Sequence, residues 1–243
     1  MNLLIDMGNT RLKWAIESNL DIVPGKPIDN AKINRSALIQ LWRDMASPNQ
    51  LAISCVGTSQ LFDLVVVTVN EIWPRITVIR VLSKAQGFGV INAYREPEKL
   101  GVDRWLSLIA GYDRYRKALC IVGCGTAITL DRVDASGRHL GGLISPGLRL
   151  MKEALALNTE NLGLNEIPYP FGLATFTDAA IYNGVLSAAC GFIEHALKSQ
   201  PDAPQLLLTG GDAETISAHL SMPAIIDPDL VFRGLSLTLR KQS

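Results

Sequence analysis

The 243-residue sequence contains no run of about 18 apolar residues, so no segment reads as a membrane-spanning helix. Its start, Met1-Asn-Leu-Leu-Ile-Asp6, has no basic stretch, and its apolar run stops at an acid, so no secretion signal is expected. Cysteine is scarce: Cys55, Cys120, Cys124 and Cys190 form no C-x-x-C pair. They read as small apolar core residues in a reducing compartment, and the expected location is cytoplasmic. Net charge of one sign is also missing, with 23 basic and 23 acidic residues. That removes the basic excess of a general nucleic-acid binder. The phosphate loop G-x-x-x-x-G-K-[ST], a helix-opening G-x-G-x-x-G, the G-x-S-x-G elbow and H-E-x-x-H are all absent, and His139, His195 and His219 lack metal-ligand spacing.

The chain is 48% hydrophobic and 19% charged, as expected of a packed globular protein. At roughly 150 residues per domain, the length suits one large or two modest units. Short apolar runs alternate with amphipathic stretches, the pattern of an α/β protein. Strands are expected at Asn2–Ile5, Trp14–Ser18, Gln50–Ser54, Thr77–Val81, Leu119–Val122, Ile128–Val133 and Gln205–Thr209. Helices are expected at Arg35–Met45, Gln60–Ile72, Pro97–Tyr115, Gly147–Ala156, Thr177–His195 and Asp212–Leu220. Asn19–Asn34 and Glu166–Phe171, with their prolines, read as irregular connections.

The chain also echoes itself. Leu3-Leu4-Ile5-Asp6-Met7-Gly8-Asn9-Thr10 is an apolar strand ending in a glycine turn, and Cys120-Ile121-Val122-Gly123-Cys124-Gly125-Thr126-Ala127 repeats that shape about half a chain later. A chance match of two glycine turns is one explanation; a duplicated unit with a cleft between its halves is the other.

Several of these residues suit phosphate chemistry. Gly8 allows close backbone approach, turn amides bind phosphate oxygens, and Asn9 and Thr10 add neutral hydrogen-bonding groups. Asp6 suits a position beside Mg²⁺ or its waters, and Lys13 a terminal phosphate. The same residues also suit a plain hairpin. Gly210-Gly211, between an apolar strand and a helix with Asp212 at its N-cap, leaves space for a nucleoside or simply for close packing. Near a helix start, Asp103 suits a proton acceptor and Arg104 a carboxylate or phosphate clamp; otherwise they are a dipole-favoured acid and a surface arginine. Thr177 reads as an N-cap, and Gly141-Gly142 with Ser145-Pro146-Gly147 as loop punctuation.

Taken together, these residues resemble type III pantothenate kinases of the acetate/sugar kinase–Hsp70–actin superfamily. The resemblance rests on Asp6-Met-Gly-Asn-Thr-Arg-Leu-Lys13, Tyr94 with Gly101-Val-Asp-Arg104, Gly125-Thr-Ala127, Gly142 with Pro146-Gly147, Thr177 with Gly184, Thr209-Gly-Gly-Asp-Ala213, and the segment Asp227 to Leu235. It implies two duplicated ribonuclease-H-like (actin-like ATPase) halves, residues 1–115 and 116–243, with an interdomain cleft. It also implies a homodimer without nucleic-acid or membrane partners. The implied reaction phosphorylates pantothenate with Mg²⁺-ATP, opening coenzyme A synthesis.

The resemblance carries roles as well. Asp6, Met7, Gly8, Asn9, Thr10, Arg11, Leu12 and Lys13 would form the first phosphate motif, with Asp6 near Mg²⁺. Gly125 and Thr126 would form the second phosphate motif, and Gly210 and Gly211 would lie near the adenosine. Tyr94, Gly101, Val102, Asp103, Arg104 and Thr177 would hold pantothenate, with Asp103 accepting the proton. The chain departs from the family at Val102, where alanine is usual, and at Gly123, where the family usually has an aspartate that binds K⁺ or NH₄⁺. A cation site there is lost, rebuilt from backbone oxygens, or replaced by water. The alternatives to the kinase are a non-catalytic regulatory relative, of the transcription-accessory kind, and a superfamily enzyme with another acceptor.

Overall fold

The computed structural model describes residues 1–157, 168–198 and 203–240. It divides into two compact units, one of Met1–Arg114 with the stretch from Asp229, the other of Tyr115–Pro228.

In the first unit, β1 (Asn2–Met7) runs antiparallel to β2 (Arg11–Ser18), which pairs on its far side with β3 (Asp21–Pro24) and β4 (Ile28–Asp29). After α1 (Arg35–Trp42) the chain returns as β5 (Gln50–Cys55), parallel to β1; after α2 (Ser59–Ile72) comes β6 (Thr77–Arg80), parallel to β5. β1 is central and buried on both faces, which is why Leu3-Leu4-Ile5 is unbroken rather than alternating. On one face Leu3, Ile5, Met7, Leu51 and Ile53 meet Leu38 and Trp42 of α1 and Val65 and Val69 of α2. Both helices start on side-chain caps: Asn34 Oδ1 accepts the Ala37 N–H at 3.0 Å, and Thr58 Oγ1 that of Leu61 at 3.4 Å. A short hairpin, β7 (Gln86–Gly87) with β8 (Val90–Ile91), leads to α3 (Val102–Tyr115).

In the second unit, β9 (Leu119–Cys124), β10 (Ala127–Val133) and β11 (His139–Pro146) form an antiparallel meander. α4 (Leu148–Ala156) and α5 (Thr177–Lys198) precede β12 (Gln205–Thr209), which lies parallel to β9; α6 (Ala213–Ser217) precedes β13 (Ile225–Ile226). Val122, Cys124, Ile128 and Leu208 pack against Leu186, Ala189 and Ile193 of α5. The last helix, α7 (Leu230–Arg240), returns to the first unit and packs on β1 and β5. It lies so close to α3 that a Cβ on Gly234 would sit 2.5 Å from the Leu106 carbonyl oxygen. Buried Glu17 ties α7 to the sheet, accepting from Asn2 Nδ2 at 2.8 Å and from the Ser236 hydroxyl.

The strand orders are β3-β2-β1-β5-β6 and β11-β10-β9-β12-β13, with the same directions at each matching step. The echo between the two glycine turns is therefore a duplication of topology, and each sheet is ribonuclease-H-like.

Several expectations are corrected. The loop reading of Gly141-Gly142 and Ser145-Pro146 falls on edge strand β11, where Gly141 takes φ +106° and a register shift follows Arg132. The connection Asn19–Asn34 contains β3, β4 and a 3-10 turn, Asn30–Lys32. The helix expected over Pro97–Tyr115 is a 3-10 turn, Pro97–Lys99, and then α3, interrupted at Leu100-Gly101. α1 stops at Trp42, and α6 runs only to Ser217. Asp212 occupies the α6 cap position without a side-chain cap bond, and Thr177 is the first residue of α5, one place inside the cap. β13 and α7 were not anticipated. Of the Glu166–Phe171 connection, residues 166 and 167 lie outside the described residues; Pro168 onward is irregular, as expected.

Candidate active site

In the first unit, Asp6 lies on β1 one residue before Met7, opposite Lys13 on β2 and Ser54 on β5. Its side chain is buried, and Ser54 Oγ donates to its Oδ1 at 2.6 Å. Burial is the strongest influence and raises its pKa above the usual carboxylate value. The Ser54 hydrogen bond and Lys13 pull it down, while the negative charge of Asp103 pushes it up. Asp6 and Asp103, distant in sequence, therefore lie within electrostatic reach of each other. The turn after β1 is closed by the Gly8 N–H donating to the Arg11 carbonyl at 3.1 Å. Beside it opens a hollow lined by Asn9, Asn30, Val56, Gly57, Thr58 and Leu61.

Asp103 sits in the first turn of α3, and its Oδ1 accepts the Arg104 N–H at 2.9 Å. A Cβ on Gly101 would come within 2.6 Å of that oxygen, so glycine there makes room for the carboxylate. Arg104 is no ordinary surface arginine: it is buried, its Nη1 donates to Tyr94 Oη at 2.8 Å, and its guanidinium lies 5.5 Å from the Tyr94 ring centre. α3 is buried on nearly every side, so the single apolar stripe read from its sequence understates its burial.

In the second unit three glycine segments converge. Gly125 and Thr126 form the β9–β10 turn, and the Gly147 N–H donates to the Thr126 carbonyl at 2.9 Å. A Cβ on Gly147 would lie 2.0 Å from the Gly125 carbonyl oxygen. Gly210 takes φ +100°, and a Cβ there would lie 2.3 Å from the Cys124 carbonyl oxygen, which also accepts the Asp212 N–H at 3.1 Å. Sequence reasoning named these segments separately; the close contacts explain why Gly147 and Gly210 are glycine. Thr177, the first residue of α5, stands apart from this group in the chain.

The sequence model of the type III pantothenate kinase family matches residues 2–199. The chain belongs to the type III pantothenate kinase family. It is 38% identical to the type III pantothenate kinase of Nitrosococcus oceani, over 100% of this chain and 95% of that protein. Among solved structures it is similar to a "conserved putative Baf family transcriptional activator" from Campylobacter jejuni, at TM-score 0.64 and 20% identity, covering 99% of this chain and 98% of that one. It is also similar to the ethanolamine utilization protein EutJ from Carboxydothermus hydrogenoformans, at TM-score 0.57 and 12% identity, covering 97% and 88%. At these identities the two structures support the fold alone.

The residues fit differently the two ions that the sequence resemblance implies. Among the described residues no cluster of three His, Cys, Asp or Glu side chains forms. A Mg²⁺ held mostly by water and phosphate oxygens needs no such cluster, and Asp6 is a hard oxygen donor at the right turn. A carboxylate-held monovalent cation does not fit. Gly123 is the counterpart of Asp6 in the second sheet: it pairs with Thr209 and Thr129 as Asp6 pairs with Ser54 and Lys13. It brings no side chain, and a Cβ there would lie 2.7 Å from Thr129 Oγ1.

Sequence reasoning missed Ser54, Asn30 and Gly57. Ser54 sits at the end of an ordinary apolar strand, and Asn30 lay in a segment read as irregular. Only strand pairing brings them to Asp6 and Gly8. Gly57 carried a weak signal, a glycine just after a strand and before a cap, and a Cβ there would lie 3.3 Å from the Gly8 carbonyl oxygen.

Proposed function

We propose that this protein transfers the γ-phosphoryl group of ATP to the primary hydroxyl of pantothenate, giving 4'-phosphopantothenate and opening coenzyme A synthesis. The observation that carries this reading is the meeting in one unit of buried Asp6, at a glycine phosphate turn, with Asp103 at the start of α3. A phosphoryl transferase needs a site that aligns phosphates and a carboxylate that steers the hydroxyl.

In this reading residues Asp6 to Lys13, Gly125 and Thr126 bind the phosphates, while Gly210 and Gly211 leave space for the adenosine. Arg104, held by Tyr94, grips the pantothenate carboxylate; Gly101, Val102 and Thr177 complete its site. Asp103 takes the hydroxyl proton as the oxygen bonds to the γ-phosphorus, and the bond to the β–γ bridging oxygen breaks to release ADP. Mg²⁺, near Asp6, supplies charge neutralisation on the phosphates when bound. No step runs through a monovalent cation.

A homodimer is part of the proposal. Edge strand β11 exposes Leu140, Leu143 and Ile144, and α4 exposes Leu150 and Leu155, apolar side chains that a second copy would cover. Four unpaired cysteines fit a reducing cytoplasm, and balanced charge gives no general attraction to nucleic acid. Among the described residues no helix is long and apolar enough to cross a membrane.

The deciding experiment measures phosphopantothenate formation from Mg-ATP and pantothenate, with K⁺, NH₄⁺, Na⁺ or no added monovalent cation. Turnover is expected in every condition. A strict K⁺ or NH₄⁺ requirement would mean that backbone oxygens replace the missing carboxylate. No product in any condition would sink the kinase and favour a regulatory relative. Asp103→Asn is expected to lower kcat at least a hundredfold, the usual scale for losing a positioned base, with Mg-ATP affinity nearly unchanged.

A further inference from the structure

One side chain holds the first phosphate turn from behind. Asn30 Nδ2 donates to the carbonyl oxygens of Gly8 and Asn9, both at 2.9 Å, and the Asn30 backbone N–H donates to the Thr10 carbonyl at 2.9 Å. Two acceptors on Nδ2 fix the amide's orientation, because a flipped amide would aim its own oxygen at two carbonyls. The cost shows on the other side, where Oδ1 is enclosed without a hydrogen-bond partner. Burying an unmade acceptor is unfavourable, so what this side chain gains lies in the turn it grips.

The chain delivers Asn30 to this place by strand pairing. β4 aligns Asp29 with Arg11, and Arg11 Nε meets Asp29 Oδ1 at 3.1 Å, so the next residue arrives beneath the turn. The Val56 N–H also holds the Met7 carbonyl, at 3.0 Å. In a planar trans peptide, the C=O of one residue and the N–H of the next point in opposite directions. Holding the Gly8 and Asn9 carbonyls toward Asn30 therefore turns the N–H groups of Asn9 and Thr10 the other way. Consecutive amides on one side of a turn form a concavity suited to oxyanions.

We infer that Asn30 is a positioning residue for phosphoryl transfer, fixing the direction of the first turn's amides before the ATP phosphates arrive. The inference rests on the reading of this turn as phosphate-binding. Asn30 touches no reacting atom in this role. It acts through Gly8, Asn9 and Thr10, and its loss should fall on ATP rather than on pantothenate.

The test uses the full-length protein and three variants. Asn30→Leu keeps approximate size and neutrality but removes both donors; Asn30→Ser keeps a single shorter donor. Asn34→Ala removes the α1 cap and serves as the purely structural comparison. Mg-ATP binding is measured by calorimetry without acceptor, and KM for ATP and for pantothenate by steady-state kinetics.

Asn30→Leu should raise the Mg-ATP Kd and the ATP KM about tenfold or more, with pantothenate KM within about twofold, and Asn30→Ser should fall between. Asn34→Ala should lower the melting temperature by about 2–4 °C and leave both KM values unchanged. Wild-type ATP affinity in Asn30→Leu, or equal losses for both substrates, overturns the inference. If Asn30→Leu does not fold, the Mg-ATP Kd of Asn30→Ser decides in the same way. A wild-type protein that binds Mg-ATP but phosphorylates no pantothenate sinks the proposed function and leaves Asn30 to be judged on Kd alone. One that binds no Mg-ATP overturns both.

Discussion

The hydroxyl of Ser54 donates to Asp6 Oδ1 at 2.6 Å, joining the ends of two adjacent parallel strands beside the Gly8 turn. Ser54 is completely buried, so water cannot replace it. Removing one partner of a buried, charge-assisted hydrogen bond costs about 1–3 kcal/mol. Ser54→Ala should therefore lower kcat/KM for ATP by about tenfold. The hydrogen bond also holds the Asp6 pKa down against burial, so its loss raises that pKa further. The acid limb of the kcat/KM profile, measured between about pH 5 and 9, should move to higher pH.

Asp6 itself should be a stability burden. Burial raises its pKa in the folded chain, whereas the unfolded carboxyl titrates near 3.8. Between those two values the folded state binds more protons, so stability falls as pH rises through the window and the penalty is complete above it. Asp6→Asn carries no such penalty, and its Oδ1 can still accept from Ser54. Without nucleotide or metal, Asp6→Asn should melt a few degrees above wild type at pH 8, and the gap should close toward pH 4. Turnover should be lost in the same variant, which kinetics on the same preparation would show.

Much of the fold was legible because each sheet is built around an unbroken apolar strand followed by a glycine turn. The β12 segment Gln205–Thr209 needed no adjustment for the same reason. What escaped was structure that gets its meaning from partners. β11 reads as a loop because an edge strand tolerates glycines and proline where a central strand does not. The segment of α7 carries part of the resemblance but does not read as a packed helix until Gly234 is seen against Leu106. In the candidate site, the acids and glycines showed in the sequence because few residue types can replace them. Ser54 and Asn30 did not, because serine and asparagine are common in strands' ends and turns, and only their hydrogen-bond partners set them apart.

Two glycines of the second unit have opposite surroundings, and alanine separates them. A Cβ on Gly147 would lie 2.0 Å from the Gly125 carbonyl oxygen and 2.7 Å from that of Thr126, backbone atoms that cannot yield without moving the turn. Gly147→Ala should cost about 2 kcal/mol or more and weaken Mg-ATP binding with it. Gly191 lies inside α5, with nothing within 4 Å of an added Cβ. Gly191→Ala should instead stabilise the protein by about 0.5–1 kcal/mol, since alanine restricts the unfolded chain and suits the helix. Denaturant melts of both variants beside wild type would measure the opposite signs.

Buried thiols make a further expectation. Burial pushes Cys120 and Cys124 up to about 12 and Cys190 up to about 11. At pH 8 their thiolate fractions are on the order of one in a thousand or less. Cys55 alone of the four is only partly buried; burial raises its pKa as well, but its sulfur is within reach of a reagent. Brief iodoacetamide treatment of the native protein at pH 8 should modify Cys55 alone, and the other three should react only after unfolding. Intact mass and peptide mapping would count and locate the adducts.

Arg104 offers the sharpest separation of the two proposed substrate sites. Its guanidinium is buried and donates to Tyr94 Oη at 2.8 Å, and a guanidinium fork has the planar geometry that matches a carboxylate. Lysine keeps the charge but not the planar fork, so at a site of this kind it is not a conservative replacement. Arg104→Lys should raise the pantothenate KM by about tenfold to a hundredfold, as for a charged hydrogen-bonded contact worth about 1.5–3 kcal/mol. Tyr94→Phe removes the acceptor that orients Arg104 and leaves the ring beneath it, so its effect should be smaller, about three- to tenfold. In both variants the ATP KM should stay within about twofold, because the proposed phosphate turns are built from other segments. A parallel rise in both KM values would place Arg104 in the general stability of α3 instead, and steady-state kinetics with each substrate varied in turn makes that distinction.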